Sequence, residues 1–455
     1  MAITKKTDIP SLLYRLFKAY VRFVHDRIYY SRTYSLQTEH IPADGTPLLI
    51  VSNHQNCLND PLGILFAFHD RKPYFITRAD VFAYHPLIRK FLHAIGLLPA
   101  FRIDYEGEAA LEKNEATFRA SERELANGRT VVMYPESGHQ DKHWLGTFSF
   151  GYTKLAFEAA ELDDFRTEIL ILPACNHYSD YFHLQEQMLV KFGTPISIRP
   201  YYELYRTRPR TAQREVNAVV RRQIEGLMLD IRDLENYPAI DFLRNTWGRN
   251  YALSHGYDAD KLPDRLLSDR AFVSALQQAQ TADAEAVRSV YEDALALRDG
   301  IRKMKISDDL FDRPPSRGAI LARTGLCLLL LPAWIFSLWP NALNLVIPAL
   351  ILRRMTDKMF YGTFLLAISV LFTIPVLYAL TFALAWMYVN LWVALAYLAT
   401  LPFLALFAWH YWMFSVRTLR AWRYRARMKT DALRMLQALR TDIHHRLDRL
   451  LKNKS

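Results

Sequence analysis

Between Lys358 and Arg417 the chain contains no Asp, Glu, Lys or Arg. At about 20 residues per crossing of a bilayer core, that stretch holds two helical spans, near 363–387 and 390–414. Met387-Tyr388-Val389-Asn390 makes the tight turn between them. A buried soluble helical core is the competing reading, but charge-free runs of this length are rare in soluble domains. An earlier pair of apolar runs, 325–338 and 343–352, predicts another hairpin, interrupted at Pro340-Asn341. It is short, so re-entrant or tilted geometry competes with two full spans. Arg317 and Arg323 precede this hairpin, Arg353, Arg354 and Lys358 separate the two, and Arg417, Arg420, Arg423, Arg425 and Arg427 follow the last span. If each hairpin returns, all three basic clusters share one face, as the positive-inside bias requires. Trp334, Trp339, Trp386, Trp392, Trp409 and Trp412 suit interfacial belts.

The rest of the 455 residues has a different character, since the chain as a whole is 51% apolar yet 23% charged. The net charge of +11 favours anions: phosphates, acidic lipids or nucleic acid. Nucleic acid is the weakest of these, because the basic residues cluster beside apolar spans rather than in a nucleic-acid motif. Cys57, Cys175 and Cys327 are far apart and form no metal or redox spacing, which fits a reducing compartment. The N-terminus does not read as a secretory signal, because Arg15, Lys18, Arg22 and Arg27 break its apolar positions. Residues 10–30 predict a basic amphipathic helix with Leu12, Leu13, Leu16, Phe17, Tyr20, Val21, Phe23, Val24 and Ile28 on a wide apolar face. Such a helix suits a membrane surface, or packs on its own domain.

Five regions follow. Residues 1–35 form the amphipathic segment, 36–200 an α/β domain, 201–315 a charged helical region, 316–416 the membrane hairpins and 417–455 a basic tail. In the α/β domain, strands are expected at 48–52, 74–77, 130–133, 169–173 and 188–192. Helices lie between them, such as 109–126, which ends at Asn127-Gly128. That alternation predicts a mainly parallel sheet, with chemistry gathered at the carboxyl ends of its strands. His54, Pro135-Glu136 and Asn176 all follow strand ends. In the region after it, 214–234 is the clearest amphipathic helix.

The stretch Asn53-His54-Gln55-Asn56-Cys57-Leu58-Asn59-Asp60-Pro61 follows the first buried strand. A helix starting near Gln55 would put His54 at its mouth and Asp60 about a turn and a half on. A carboxylate accepting one imidazole N–H fixes the tautomer and leaves the other nitrogen as a base. Asn53 and Asn56 would hold the backbone around the pair. An ordinary strand-end loop with a helix cap fits the same residues. Further on, Leu98-Pro99-Ala100-Phe101-Arg102 puts an arginine after an apolar run, and its planar fork suits a phosphate. Val131-Val132-Met133-Tyr134-Pro135-Glu136-Ser137-Gly138 is a strand and turn whose amides could face an oxyanion. Ile171-Leu172-Pro173-Ala174-Cys175-Asn176 is another strand end, able to wall an apolar pocket.

In this order and at these separations the four stretches resemble the glycerolipid acyltransferase family, the 1-acyl-glycerol-3-phosphate and glycerol-3-phosphate acyltransferases. The resemblance covers roughly 36–200, and the apolar C-terminal region is similar to a branch with additional membrane segments. The resemblance implies an α/β acyltransferase domain with catalytic His54 and Asp60: His54 as general base on a glycerol hydroxyl, Asp60 orienting it. It implies Arg102 on the acceptor phosphate, and the motif Tyr134-Pro135-Glu136-Ser137 with Gly138 behind it as substrate-binding. Glu136 would help bind the acceptor, and 169–173 would shape the acyl-chain side. Ser137 stands where the family has Gly, which leaves open which amide faces the oxyanion. The donor would be acyl-CoA or acyl-carrier protein, with no cofactor or metal, and no nucleic acid among the partners. The expected place is a membrane, the bacterial inner membrane, with the catalytic domain cytoplasmic. The expected product is phosphatidic acid from lysophosphatidic acid. First acylation of glycerol 3-phosphate is the alternative, and a non-catalytic scaffold or lipid-transfer protein a more distant one.

One departure has a direct test. The family commonly leaves four residues between His and Asp, which would pick Asn59; the residue one further on is Asp60. Asn59→Ala is expected to keep much more acyl-transfer activity than Asp60→Ala, and the reverse ranking in a labelled-acyl assay would reassign the partner of His54.

Overall fold

The structure is a computed structural model that describes residues 10–69, 71–78, 86–100, 108–136, 138, 142–354 and 360–452. The chain divides into two compact units. One comprises residues up to Met228 together with Leu352–Leu366, the other Leu229–Ile351 and Ala367–Ser455.

The first unit opens with α1 (Leu12–Phe23), which continues as a π-helical stretch through Val24–Tyr29. Then follow β1 (Arg32–Leu36), β2 (Leu48–Ser52), α2 (Asn59–Ala67), β3 (Tyr74–Arg78), α3 (Pro86–Ala94), β4 (Leu97–Ala100), α4 (Glu108–Ala126), β5 (Thr130–Met133), α5 (Gly151–Glu161), β6 (Leu170–Tyr178), β7 (Gln187–Phe192), β8 (Ile196–Ser197), α6 (Tyr202–Thr207) and α7 (Pro209–Leu227). Among the described residues, eight strands form one sheet in the order β1-β7-β6-β2-β5-β3-β4, with β8 beside β6. β2 pairs in parallel with both β5 and β6, while β7 and β8 run antiparallel to β6. The mainly parallel sheet expected from the sequence is therefore present.

The sequence explains the layout. All five residues of β2 are buried, as a central strand covered on both faces must be. On one face Leu49, Val51, Val131 and Ile171 meet α5 and the Val216, Val220 and Ile224 stripe of α7. The spacing of that stripe, one residue per helical turn, is what a helix laid on a sheet needs. Each such side chain contributes about 1.5–3 kcal/mol by burial. On the other face α2 lies so close to β7 that a side chain at Gly63 would collide with Met188 and Val190. Gly128, at φ +83°, ends α4 against the carbonyl of Gly45.

Several elements differ from expectation. α7 ends at Leu227 rather than near 234, because Met228, Leu229 and Ile231 are buried beyond it with Met228 extended. β1 escapes sequence reading because it is an edge strand with largely exposed side chains and no apolar alternation. β4 is an edge strand too, where Pro99 costs no central ladder bond. β6 runs past Pro173 to Tyr178 because β7 pairs with that extension. α1 divides its apolar residues. Tyr14 and Val21 are buried and Lys18 donates to the carbonyls of Phe68 and His69, whereas Leu12, Leu13 and Leu16 face outward.

The second unit is helical. α8 (Tyr237–Thr246), α9 (Gly248–Ser254), α10 (Leu262–Ala282) and α11 (Ala284–Met304) are followed by α12 (Arg317–Leu338) and α13 (Ala342–Arg354). After α14 (Phe360–Ile368), whose first turns belong to the first unit, a π-helical stretch (Ser369–Tyr378) leads to α15 (Ala379–Tyr388). α16 (Leu391–Arg427) and α17 (Asp431–Lys452) complete it. Among the described residues, three helical stretches are long and apolar enough to cross a membrane: Arg317–Asn344, Gly362–Tyr388 and Leu391–Arg427. α12, with 22 residues, is about 33 Å long, whereas α13, with 13, is about 20 Å, short of a full crossing by itself. Polar groups tie these helices together: Trp334 Nε1 donates to the Ala408 carbonyl and Tyr411 Oη to that of Cys327. On its surface Leu329, Trp392 and Phe403 are exposed, as lipid-facing side chains would be.

Candidate active site

Ser52 is the last residue of β2, and the chain then turns through Asn53–Leu58 before α2 begins at Asn59. The helix starts four residues later than a start at Gln55 would have it. The reason is Asp60, in the first turn. Its Oδ2 accepts the backbone N–H groups of Gln55 and Asn56 at 2.7 and 2.8 Å, which draws the loop over the carboxylate instead of into a helix. The same oxygen lies 2.7 Å from Nδ1 of His54. Its other oxygen, Oδ1, accepts the hydroxyl of Tyr178 at 2.5 Å. Asp60 is fully buried, and leaving such a carboxylate without partners costs several kcal/mol, so these four donors are what make the position tenable. Each hydrogen bond to a charged group contributes about 1.5–3 kcal/mol. The helix N-terminus adds a favourable field.

Asn59 points elsewhere. One helical residue is about 100° of rotation, and its amide donates to Asn56 Oδ1 at 3.2 Å. The loop is pinned from three further sides. Asn53 pairs with the backbone of Asn176 through both ends of its amide, at 2.7 and 3.0 Å, continuing the β2–β6 ladder after β2 has ended. Asn176 in turn donates to Ser52 Oγ. Gln55 is held by the hydroxyl of Tyr181 and donates to the carbonyl of Lys142. Cys57 adopts φ +39°, the left-handed region that a non-glycine residue enters only when its surroundings enforce it.

Glu136 stands at the end of β5. Its Oε1 accepts the backbone N–H of His54 at 2.8 Å and its Oε2 that of Gly146 at 2.6 Å. Burial pushes its carboxyl pKa up, and the two N–H donors oppose that rise without cancelling it. Glu136 thus fixes the backbone of His54 from one strand end while Asp60 fixes its ring from another. The imidazole stacks on Tyr134, with centroids 4.4 Å apart at 24°, and its side chain remains 21% exposed while Asp60 is sealed. Burial first, then the charge of Asp60, drive the pKa of Tyr178 and Tyr134 well above the usual phenol value. Tyr178 therefore stays protonated and donates.

This arrangement can hold a neutral imidazole with Nδ1–H on Asp60 and Nε2 as its basic nitrogen. His54, Asp60 and Glu136 come together. Gly138 is exposed, with open space around the place of a side chain. Arg102 and Ser137 lie outside the described residues. Tyr178 was not singled out by sequence reading. The signal was the run Asn176-His177-Tyr178 after Pro173, in which strand alternation puts 176 and 178 on one side.

The Acyltransferase family model matches residues 33–177, the segment that carries His54, Asp60 and Glu136. Among curated proteins none matches. A similar solved structure is the 1-acyl-sn-glycerophosphate (LPA) acyltransferase PlsC from Thermotoga maritima. It is 15% identical, covers 47% of this chain and 78% of its own, and has a TM-score of 0.33.

Tyr178→Phe tests the second support of Asp60. It is expected to lower kcat for acyl transfer on the order of tenfold with the acceptor KM little changed. A simple packing role for the ring would leave kcat intact.

Proposed function

We propose that the chain is a membrane-bound acyltransferase that transfers a fatty acyl group from a thioester to the free hydroxyl of a 1-acyl-glycerol 3-phosphate, giving phosphatidic acid. The observation that carries this reading is the 2.7 Å contact between His54 Nδ1 and a sealed Asp60, inside the segment matched by the acyltransferase model. In the proposed step His54 Nε2 takes the hydroxyl proton as the oxygen attacks the thioester carbonyl. The tetrahedral intermediate then expels the thiolate, which takes the proton from the imidazolium, so the enzyme ends unchanged. Asp60 stabilises the imidazolium meanwhile, as the carboxylate of a serine-hydrolase triad does. Arg102 would bind the acceptor phosphate, and the turn of Ser137 and Gly138 would offer amides to the oxyanion. Glu136 contributes through the backbone of His54.

A monoacyl acceptor is preferred because the exposed Leu12, Leu13 and Leu16 of α1 and the apolar helices suit a protein that works where such lipids reside. The donor is acyl-CoA or acyl-carrier protein, and the reaction needs no cofactor.

For sidedness, we infer that α13 is a re-entrant limb that returns Arg353 and Arg354 to the face of Arg317 and Arg323, the cytoplasmic face of a bacterial inner membrane. A tag after Ser455 is then expected on the same side as the acyltransferase domain, read by protease access in sealed vesicles. A tag on the opposite side overturns this topology.

The decisive assay is purified protein in lipid with labelled acyl-CoA or acyl-carrier protein. Lysophosphatidic acid and glycerol 3-phosphate are supplied separately, with His54→Ala alongside. Labelled phosphatidic acid, lost at least about 10³-fold in the variant, is expected. Labelled lysophosphatidic acid from glycerol 3-phosphate instead would make this the first acylation, and no product from any pair would overturn the enzyme reading.

A further inference from the structure

Gly362 and Thr363 open the second of the three long apolar helical stretches, yet they pack within the first unit, against the loop that carries His54. Thr363 Oγ1 accepts the backbone N–H of Leu58 at 3.1 Å. A Cβ on Gly362 would lie 2.2 Å from Tyr29 Oη and 3.3 Å from Asn59 Nδ2. So the first turn of the apolar helix, the π-helical stretch after α1 and the N-terminus of α2 meet at one small glycine.

Thr381 and Thr418 each donate to the carbonyl four residues back in their own helix, the ordinary arrangement for a buried helical hydroxyl. Thr324 does so too while accepting Trp422 Nε1, and Thr373 donates to Asn344 Oδ1, so these helices also use hydroxyls to bond other elements. Thr363 accepts from the loop that carries His54. The amide it accepts from has a particular place, because Leu58 follows Cys57, the residue held at φ +39°. A strained residue persists only where its flanking peptides are fixed. On one side the carbonyl of Asn56 accepts the N–H of Asn59 at 2.8 Å. On the other side Thr363 accepts the N–H of Leu58.

We propose that Gly362 and Thr363 form a positioning joint, through which the first turn of a membrane-entering helix holds the His54–Asp60 loop in its working conformation. Gly362 permits the approach and Thr363 supplies the bond. The catalytic consequence rests on the acyl-transfer reading, but the ordering of the loop does not.

The test uses full-length protein in lipid nanodiscs and compares Thr363→Val, which removes the acceptor oxygen, with Thr363→Ser, which keeps it. Thr363→Ala serves in place of the valine variant if that one does not fold. The first readout needs no substrate: the rate of maleimide addition to the partly exposed Cys57, followed by mass spectrometry of its peptide. Thr363→Val is expected to label at least about threefold faster than wild type, and Thr363→Ser within about twofold of it. The second readout is acyl transfer, where Thr363→Val is expected to lower kcat on the order of tenfold with acceptor KM within about twofold. Equal labelling of Thr363→Val and wild type overturns the joint, as does Thr363→Ser behaving like Thr363→Val. Faster labelling with unchanged kcat overturns its catalytic role. If wild type transfers no acyl group, the acyl-transfer reading fails by itself, and the labelling result still decides the joint.

Discussion

A fully buried carboxylate has few stable environments, and the one around Asp60 organises everything near it. Its oxygens accept from an imidazole, two backbone amides and a phenol, so the loop, the helix and the far end of β6 are all fixed relative to one another. The unfavourable desolvation is offset only if all of these donors arrive together. That makes the conformation of the loop a cooperative property. It also explains why a strained residue, Cys57, is tolerated in its middle.

The sheet contributes through its mixed pairing. β2 delivers His54 from a strand buried along its whole length, with parallel neighbours on both sides. β5 delivers Glu136 one strand away, and β6 continues past the end of β2 because β7 pairs with the extension. A purely parallel sheet of matched strand lengths would leave nothing above the loop. Here the overhang of β6 brings Asn176 to brace Asn53 and Tyr178 to support Asp60. Gathering the site at the carboxyl ends of parallel strands is general to such sheets. The overhang that encloses it is particular to this one.

Much was legible in the residues. The strand positions of β2 and β5, the helix α4 with its glycine stop, the pairing of His54 with Asp60 over Asn59 as a candidate, and the apolar helices all follow from local pattern. The edge strands β1 and β4 did not, because an exposed edge imposes no apolar alternation. The end of α7 was misplaced because a run that stays amphipathic in composition leaves the helix once its apolar residues are wanted elsewhere in the core. The role of Glu136 was legible only as a carboxylate at a strand end. That both its oxygens hold backbone amides, one of them that of His54, is visible only in three dimensions.

By itself the sequence determined the class of fold and the phase each part lives in, since burial periodicity and the absence of charge are local properties that each segment carries wherever it goes. It also determined the chemistry on offer: an imidazole, a nearby carboxylate, and no metal-ligand spacing among the cysteines. Only the tertiary structure decided which groups complete the site. Tyr178, Glu136 and Thr363 are 118, 82 and 305 residues away from the groups they hold. Hydrogen bonds of that kind depend on distances of a few tenths of an ångström between elements with no sequence relation to one another. That precision comes from the packing of the sheet and its covering helices, and no short-range pattern encodes it.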